Sequence, residues 1–304
     1  MSIQLFELNP TSIVRVSGED ALPYLQSQLT IDFRKLPVHG TRFSLRLNRK
    51  GKVLFGAQVI RVDDEEFLLI CRDSHADQVI ELLEENVVAD DVEFAAVNEP
   101  WKEYVLFHPS SVEEIFSFFI SKEFKHNTAY PYEGGWSFID AFQPPYSLTL
   151  ITPAQTAPPW KVKIQPSPST KLEQLRLEAG IFRTGSEIGQ DELPQEGGLE
   201  TIAVDFDKGC YLGQEVMARI HAMGKVRHST VAVKGDITTP VPISLPALLF
   251  DNGKKVGKLK SQFMRENGTE WIGAAVIHEN AKPALKQGIL KIENSDNSLQ
   301  LLNS

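Results

Sequence analysis

Short apolar or alternating runs dominate the first half of the chain. SIVRVS (12–17), FSLRL (43–47), VLFGAQVI (53–60), FLLIC (67–71) and EYVLF (103–107) have the length and the β-branched and aromatic content of strands. Helical spacing appears between them. LPYLQSQL (22–29) follows Asp20, a candidate N-cap, and HADQVIELLEEN (75–86) follows Ser74 with Val79, Leu82 and Leu83 on one face. VEEIFSFFIS (112–121) comes after Ser110 and Ser111, and the strands WSFID (136–140) and YSLTLIT (146–152) close the half. Mixed order of this kind, without strict β-α alternation, reads as α+β.

The texture then changes twice. Residues 152–170 carry five prolines and little periodicity, as a connector does. TKLEQLRLEAG (170–180) predicts a helix with a Thr170/Glu173 capping box, a Gly180 C-cap and an apolar stripe of Leu172, Leu175 and Ala179, flanked by Arg176 and Glu178. From about Ser229 short strands alternate with turn signals, among them Asn252-Gly253 and Asn267-Gly268. That spacing predicts a small antiparallel barrel over 229–304.

Composition narrows the class. With 304 residues, 42% hydrophobic and 23% charged, the chain reads as two globular domains. No apolar run approaches a membrane span, the start lacks a signal-peptide pattern, and two distant cysteines build no disulfide framework; a cytoplasmic protein is expected. A net charge of −9 argues against direct nucleic-acid binding. One stretch departs from it: residues 34–52 hold seven bases and no acid. Within it, period 2 puts Arg42, Ser44 and Arg46 on one face, expected to lie away from the core. That face is either a solvated strand surface or a site for an anionic ligand such as a phosphate or a polycarboxylate tail.

The chemistry concentrates in KGCYLGQE (208–215). Gly213 can N-cap a following helix, and Cys210 sits just ahead of it, two residues from Lys208. Helix dipole and cation both favour a thiolate there. A structural turn, a redox-active or nucleophilic thiol, and a metal ligand all stay open for Cys210. Only His221 and His228 lie nearby, too few for a closed zinc site, so no metal is expected. Cys71 ends a strand run and reads as core. No Walker loop, GxGxxG, HExxH or GxSxG occurs.

The same eight residues match the K-G-C-Y-x-G-Q-E signature of the YgfZ family, folate-binding proteins structurally related to the glycine cleavage T-protein (aminomethyltransferase). Arg176-Leu-Glu-Ala-Gly180 resembles that superfamily's R-x-E-x-G helix end, and Leu193-Pro-Gln-Glu196 its L-P-Q-E/A loop. Residues 24–32 (YLQSQLTID) and 48–54 (NRKGKVL) resemble its opening and strand entry. The resemblance implies a ring-like fold: an N-terminal α+β region (1–228), a ferredoxin-like part at about 50–150, and the C-terminal barrel, enclosing a channel for tetrahydrofolate or a one-carbon derivative. It implies a pterin contact at Glu178, with Arg176, Tyr211 and Glu215 as further cofactor-binding candidates. Arg42 and Arg46 become candidates for the folate polyglutamate tail, and Cys210 with Lys208 for the reactive centre. T-proteins carry a catalytic Asp in a G-x-I-L-D-D-like segment; here Phe55 and Gly56 occupy the acidic positions, so aminomethyl transfer is not expected. The implied role is an accessory one in iron–sulfur enzyme maintenance, and through those enzymes in tRNA modification, with folate and iron–sulfur proteins or assembly factors as partners. A one-carbon transferase is the alternative.

Overall fold

A computed structural model describes residues 3–119, 124–156, 158, 164–236, 244–293, 295 and 298–302. Three sheets organise them. The first has the order β3-β4-β5-β2-β6, with β2 Ser12–Ser17, β3 Thr41–Leu47, β4 Val53–Arg61, β5 Glu66–Cys71 and β6 Glu93–Ala96. The second has the order β1-β7-β10-β9-β8, with β1 Gln4–Leu8, β7 Trp101–Phe107, β8 Ala129–Tyr132, β9 Gly135–Ile139 and β10 Ser147–Pro153. The segment 50–150, expected as one ferredoxin-like part, is therefore divided: β4 to β6 lie in the first sheet and β7 to β10 in the second.

The third sheet is the expected barrel. Strands β11 His228–Asp236, β12 Ala247–Asp251, β13 Lys254–Leu259, β15 Glu270–His278, β16 Leu290–Ile292 and β17 Ser298–Leu301 form an antiparallel ring, closed by nine β11–β15 residue pairs. The short β14 Phe263–Met264 is added at β15. Asn252 and Gly253 both take positive φ (47° and 78°), the backbone a two-residue hairpin demands, and this is why that dipeptide joins β12 to β13.

Helices α1 Ala21–Gln28 and α2 Ala76–Glu84 cover one face of the first sheet, burying Val14, Phe55, Val59 and Leu69 with Leu25 and Val79. Its other face meets the second sheet through Ile13, Ile60, Ile70, Trp136 and Phe138. Helix α3 Glu113–Phe119 starts where Ser111 Oγ accepts from the Glu113 N–H, as a serine cap should. The other expected caps differ. Asp20 does stand at the N-cap of α1, but its side chain accepts from the Asp91 N–H, and His75, not Ser74, stands at the N-cap of α2.

Helix α4 spans Ser169–Glu178 and packs Leu172 against Phe6, Val105 and Phe107. Its buried stripe is Leu172, Glu173, Arg176 and Leu177, while Ala179 is exposed. The capping box is absent because Glu173 turns to Arg176 and Arg183. The short α5 Glu200–Ala203 and then α6 Gln214–Met223 follow, with Gly213 at the N-cap of α6; α7 Lys282–Lys286 lies on the barrel. Among the described residues no helix is long and apolar enough to cross a membrane.

Candidate functional site

Four of the sequence motifs meet at one place. The turn Leu29–Asp32 is wrapped by residues 203–212: Thr30 Oγ1 donates to the Ala203 carbonyl (2.5 Å), the Asp205 N–H to the Thr30 carbonyl (3.0 Å), and the Asp32 N–H to Asp205 Oδ2 (2.6 Å). Lys208 completes the wrapping. Its ammonium donates to the carbonyls of Leu29 and Ile31, each at 2.6 Å, and lies over the rings of Phe33 and Tyr211. The side chain is only 6% exposed, and burial pushes its pKa down to about 7, against the pull of Asp32 and Asp205. The turn at 48–51 approaches from the other side. A Cβ on Gly213 would stand 2.6 Å from the Asn48 carbonyl oxygen, and one on Gly51 would crowd Val216 and Leu193. Glu196 of the 193–196 loop sits 3.7 Å from Lys52.

Within this frame the predicted residues separate. Cys210 is exposed, whereas Lys208 turns inward, so the cation is committed to two carbonyls instead of the thiol. Tyr211 is buried, and its hydroxyl has no hydrogen-bond partner among the described residues; burial pushes its pKa up to about 12. Glu215 is exposed in the first turn of α6. Cys71 is buried at the end of β5, with its thiol pushed up to about 12 by burial.

The arginine face of β3 requires a correction. Alternation along the strand holds, with Phe43, Leu45 and Leu47 packed on one side. The polar side, however, is roofed. Arg46 is fully buried, donating to the Gln28 and Leu82 carbonyls near the ends of α1 and α2, with Glu85 at 3.8 Å. Arg42 is 24% exposed and bonds Asp205 Oδ2 at 2.6 Å. Period 2 tells which side a residue takes, not what covers that side.

A second polar cluster lies where the sheets meet. Arg72, directly after β5, donates to Glu103 of β7 from both Nε and Nη2, and to Asp140 at 2.6 Å. Burial opposes its charge, but Asp140 and Glu103 outweigh it and hold the guanidinium above its ordinary range. Arg176, expected at the ligand, has its donors taken: Glu173 (Nε, 2.6 Å), the Ile181 carbonyl (3.0 Å) and Glu187 by two bonds (2.7 and 2.8 Å). Ser261 of the barrel also donates to Glu187. Arg176 thus ties α4 to the barrel and does not reach outward. Glu178, at the end of α4, is 37% exposed, with Oε1 accepting from Gln174 (2.7 Å) and 3.6 Å from Arg265.

Sequence reasoning missed Asp73. Its Oδ2 is buried with no hydrogen-bond partner among the described residues, and burial raises its pKa to about 6 despite Arg183 and Arg176. The only sequence signal was an Arg-Asp pair directly after an apolar strand. The positions where T-proteins carry acids are closed here. Phe55 is fully buried, and a Cβ on Gly56 would stand 2.5 Å from Phe43 Cζ and 2.7 Å from Thr184 Cγ2.

Comparison with known proteins agrees with this architecture. The family model "GCVT N-terminal domain" matches residues 1–133. The aminomethyltransferase T of the glycine cleavage system from Bartonella henselae superposes with a TM-score of 0.75 over 98% of this chain and 84% of that one, at 18% identity. The fold is that of the aminomethyltransferases. The "tRNA-modifying protein YgfZ" of Sodalis glossinidius is 24% identical over 294 residues, covering 94% of this chain and 88% of that protein. Its counterpart in Colwellia psychrerythraea is 24% identical over 93% of this chain and 88% of that protein. The "Aminomethyltransferase" of Caldanaerobacter subterraneus is 25% identical, but the match spans only 64% of its length. The chain is thus similar to these YgfZ proteins along most of its length, and its first 133 residues match the family model.

Proposed function

We propose that this protein binds tetrahydrofolate or a one-carbon derivative and serves as an accessory factor to iron–sulfur enzymes, through which it affects tRNA modification. One observation carries the reading: an aminomethyltransferase fold presents an exposed signature thiol, Cys210, while residues 55 and 56 are packed shut against a carboxylate. Without that carboxylate no group stands at the acidic position to assist transfer at the folate amine. The transferase alternative loses its general acid.

Carboxylate acceptors of the kind a reduced pterin needs are present. Glu178 offers a carboxylate oriented by Gln174 and Arg265, and a 2-amino pterin edge presents two N–H donors that such a group accepts together. Asp73 Oδ2 adds a buried acceptor in need of a donor. Tyr211 and Glu215 are proposed as further contacts, and Arg42, the one tail candidate with access to solvent, as the polyglutamate contact. When bound, folate supplies a carrier for a one-carbon unit. Cys210 is proposed to face the iron–sulfur partner.

Calorimetric titration with tetrahydrofolate tests the reading. Glu178→Ala should lose roughly 1.5–3 kcal/mol, about ten- to a hundredfold in affinity, at matched thermal stability. Equal affinity in the two proteins would remove Glu178 from the site.

A further inference from the structure

A cavity opens on the barrel side of the 193–196 loop. It measures about 710 Å³ and opens between the loop 191–196, the β12–β13 hairpin and the ends of β11 and β15. That volume falls within the ~300–1,000 Å³ typical of small-molecule sites. Its walls carry Val256, Val276 and Ala281 beside charged groups.

Most of the lining carboxylates are already neutralised. Asp191 pairs with Lys258 and Glu192 with Lys260, each at 2.9 Å. Glu196 lies 3.4 Å from His228 Nδ1 and 3.7 Å from Lys52, and Asp251 stands opposite Lys254 in the β12–β13 register. Lys254, Lys255 and His278 remain. Lys255 is exposed, with no ion pair among the described residues. His278 accepts the Asn280 N–H at Nδ1 (3.2 Å), so the neutral ring carries its proton on Nε2 and has a donor left over. His228 and His278 are cross-strand partners with ring centroids 5.3 Å apart. The cavity therefore gathers ammonium and imidazole groups beside an apolar wall, while Asp191, Glu192 and Glu196 of its lining are held by lysines of their own.

We propose that this cavity binds the phosphate group of a small molecule of mononucleotide size, independently of folate. A phosphate dianion has acceptor oxygens for Lys255 and His278 together, and the valine wall suits the body of the ligand. Inorganic phosphate and a nucleoside monophosphate share this chemistry, so both serve as probes.

The full-length protein is titrated with adenosine monophosphate, inorganic phosphate and adenosine, following the imidazole 1H–15N signals of His228 and His278. The expected result is saturable movement of both signals by the two phosphates and none by adenosine. Lys255→Ala should weaken the phosphates about tenfold, as loss of a charge-assisted contact does, while Lys286→Ala on α7 leaves them unchanged. Tighter adenosine monophosphate identifies an organic phosphate as the source, and equal affinity identifies the free ion. Non-saturating shifts, or equal effects of the two lysine variants, would overturn the proposal. So would binding of adenosine as tight as that of its phosphate. Repeating the titration with Glu178→Ala separates this site from the folate reading, since that variant should bind phosphates normally.

Discussion

Replacing Lys208 by methionine removes the charge from the clamp while keeping most of its length. In the wild type the amine is nearly enclosed and its pKa falls from 10.5 to about 7, chiefly through burial. The unfolded chain restores the ordinary value. Between those two values the unfolded state binds a proton that the folded state does not, so stability rises with pH across this window and is level in this respect below it. Integrating the difference in bound protons from pH 7 to about pH 9 gives roughly 2 kcal/mol from this one group, and the whole window approaches 5 kcal/mol. Urea unfolding of both proteins at matched pH values isolates the contribution, because other titrating groups cancel in the difference. Wild-type stability should climb relative to Lys208→Met by about 2 kcal/mol over that interval. Parallel curves would mean that Lys208 keeps an ordinary pKa when folded, and that the two carbonyls hold it fully charged.

Two further outcomes follow from the packing. Gly56→Asp, which restores an acid where T-proteins carry one, should lower thermal stability and produce no aminomethyltransferase activity, because Phe43 and Thr184 occupy the space; a stable, active variant would refute the steric argument. Iodoacetamide at neutral pH should modify Cys210 and spare Cys71 in the folded state, read by peptide mass, and Cys210→Ser should retain tetrahydrofolate binding but fail to support iron–sulfur enzyme activity in cells lacking the wild-type protein. Full complementation by the serine variant would reduce the signature to a turn.

What could be read from the sequence was local. The strand runs, the Asn252-Gly253 hairpin, the Gly213 N-cap and the core position of Cys71 depend on a few neighbouring residues, and they hold. What failed depended on partners far along the chain. The alternation of β3 located Arg42 and Arg46 on one side, but α2, some forty residues later, and the loop at 203–205 decide that this side is covered. Glu173 was read as a capping residue from its spacing to Thr170, yet Arg176 and Arg183 offer it two guanidinium partners. Asp73 carries no such local signal, because Arg176 and Arg183, which act on it, lie about a hundred residues along the chain. Lys208 was read beside Cys210 because the two are close in sequence, whereas its carbonyl partners lie at Leu29 and Ile31.

The strand nearest the amino terminus has a consequence for the order in which the protein is made. β1 lies at the edge of its sheet and pairs with β7, so Gln4 meets Phe107 and Leu8 meets Glu103, and Leu5 also receives the Ser167 N–H. On a ribosome, residues 4–8 emerge well before β7 and lack that edge until about a hundred residues more have appeared. Meanwhile β2 to β6 can assemble their own sheet with α1 and α2. The segment Gln-Leu-Phe-Glu-Leu thus waits without its β7 partner beside a nearly complete neighbour. Strands in that position invite wrong pairing. Constraint on this segment therefore acts during the roughly 5–20 seconds that a hundred residues take to be made, as well as through the finished fold.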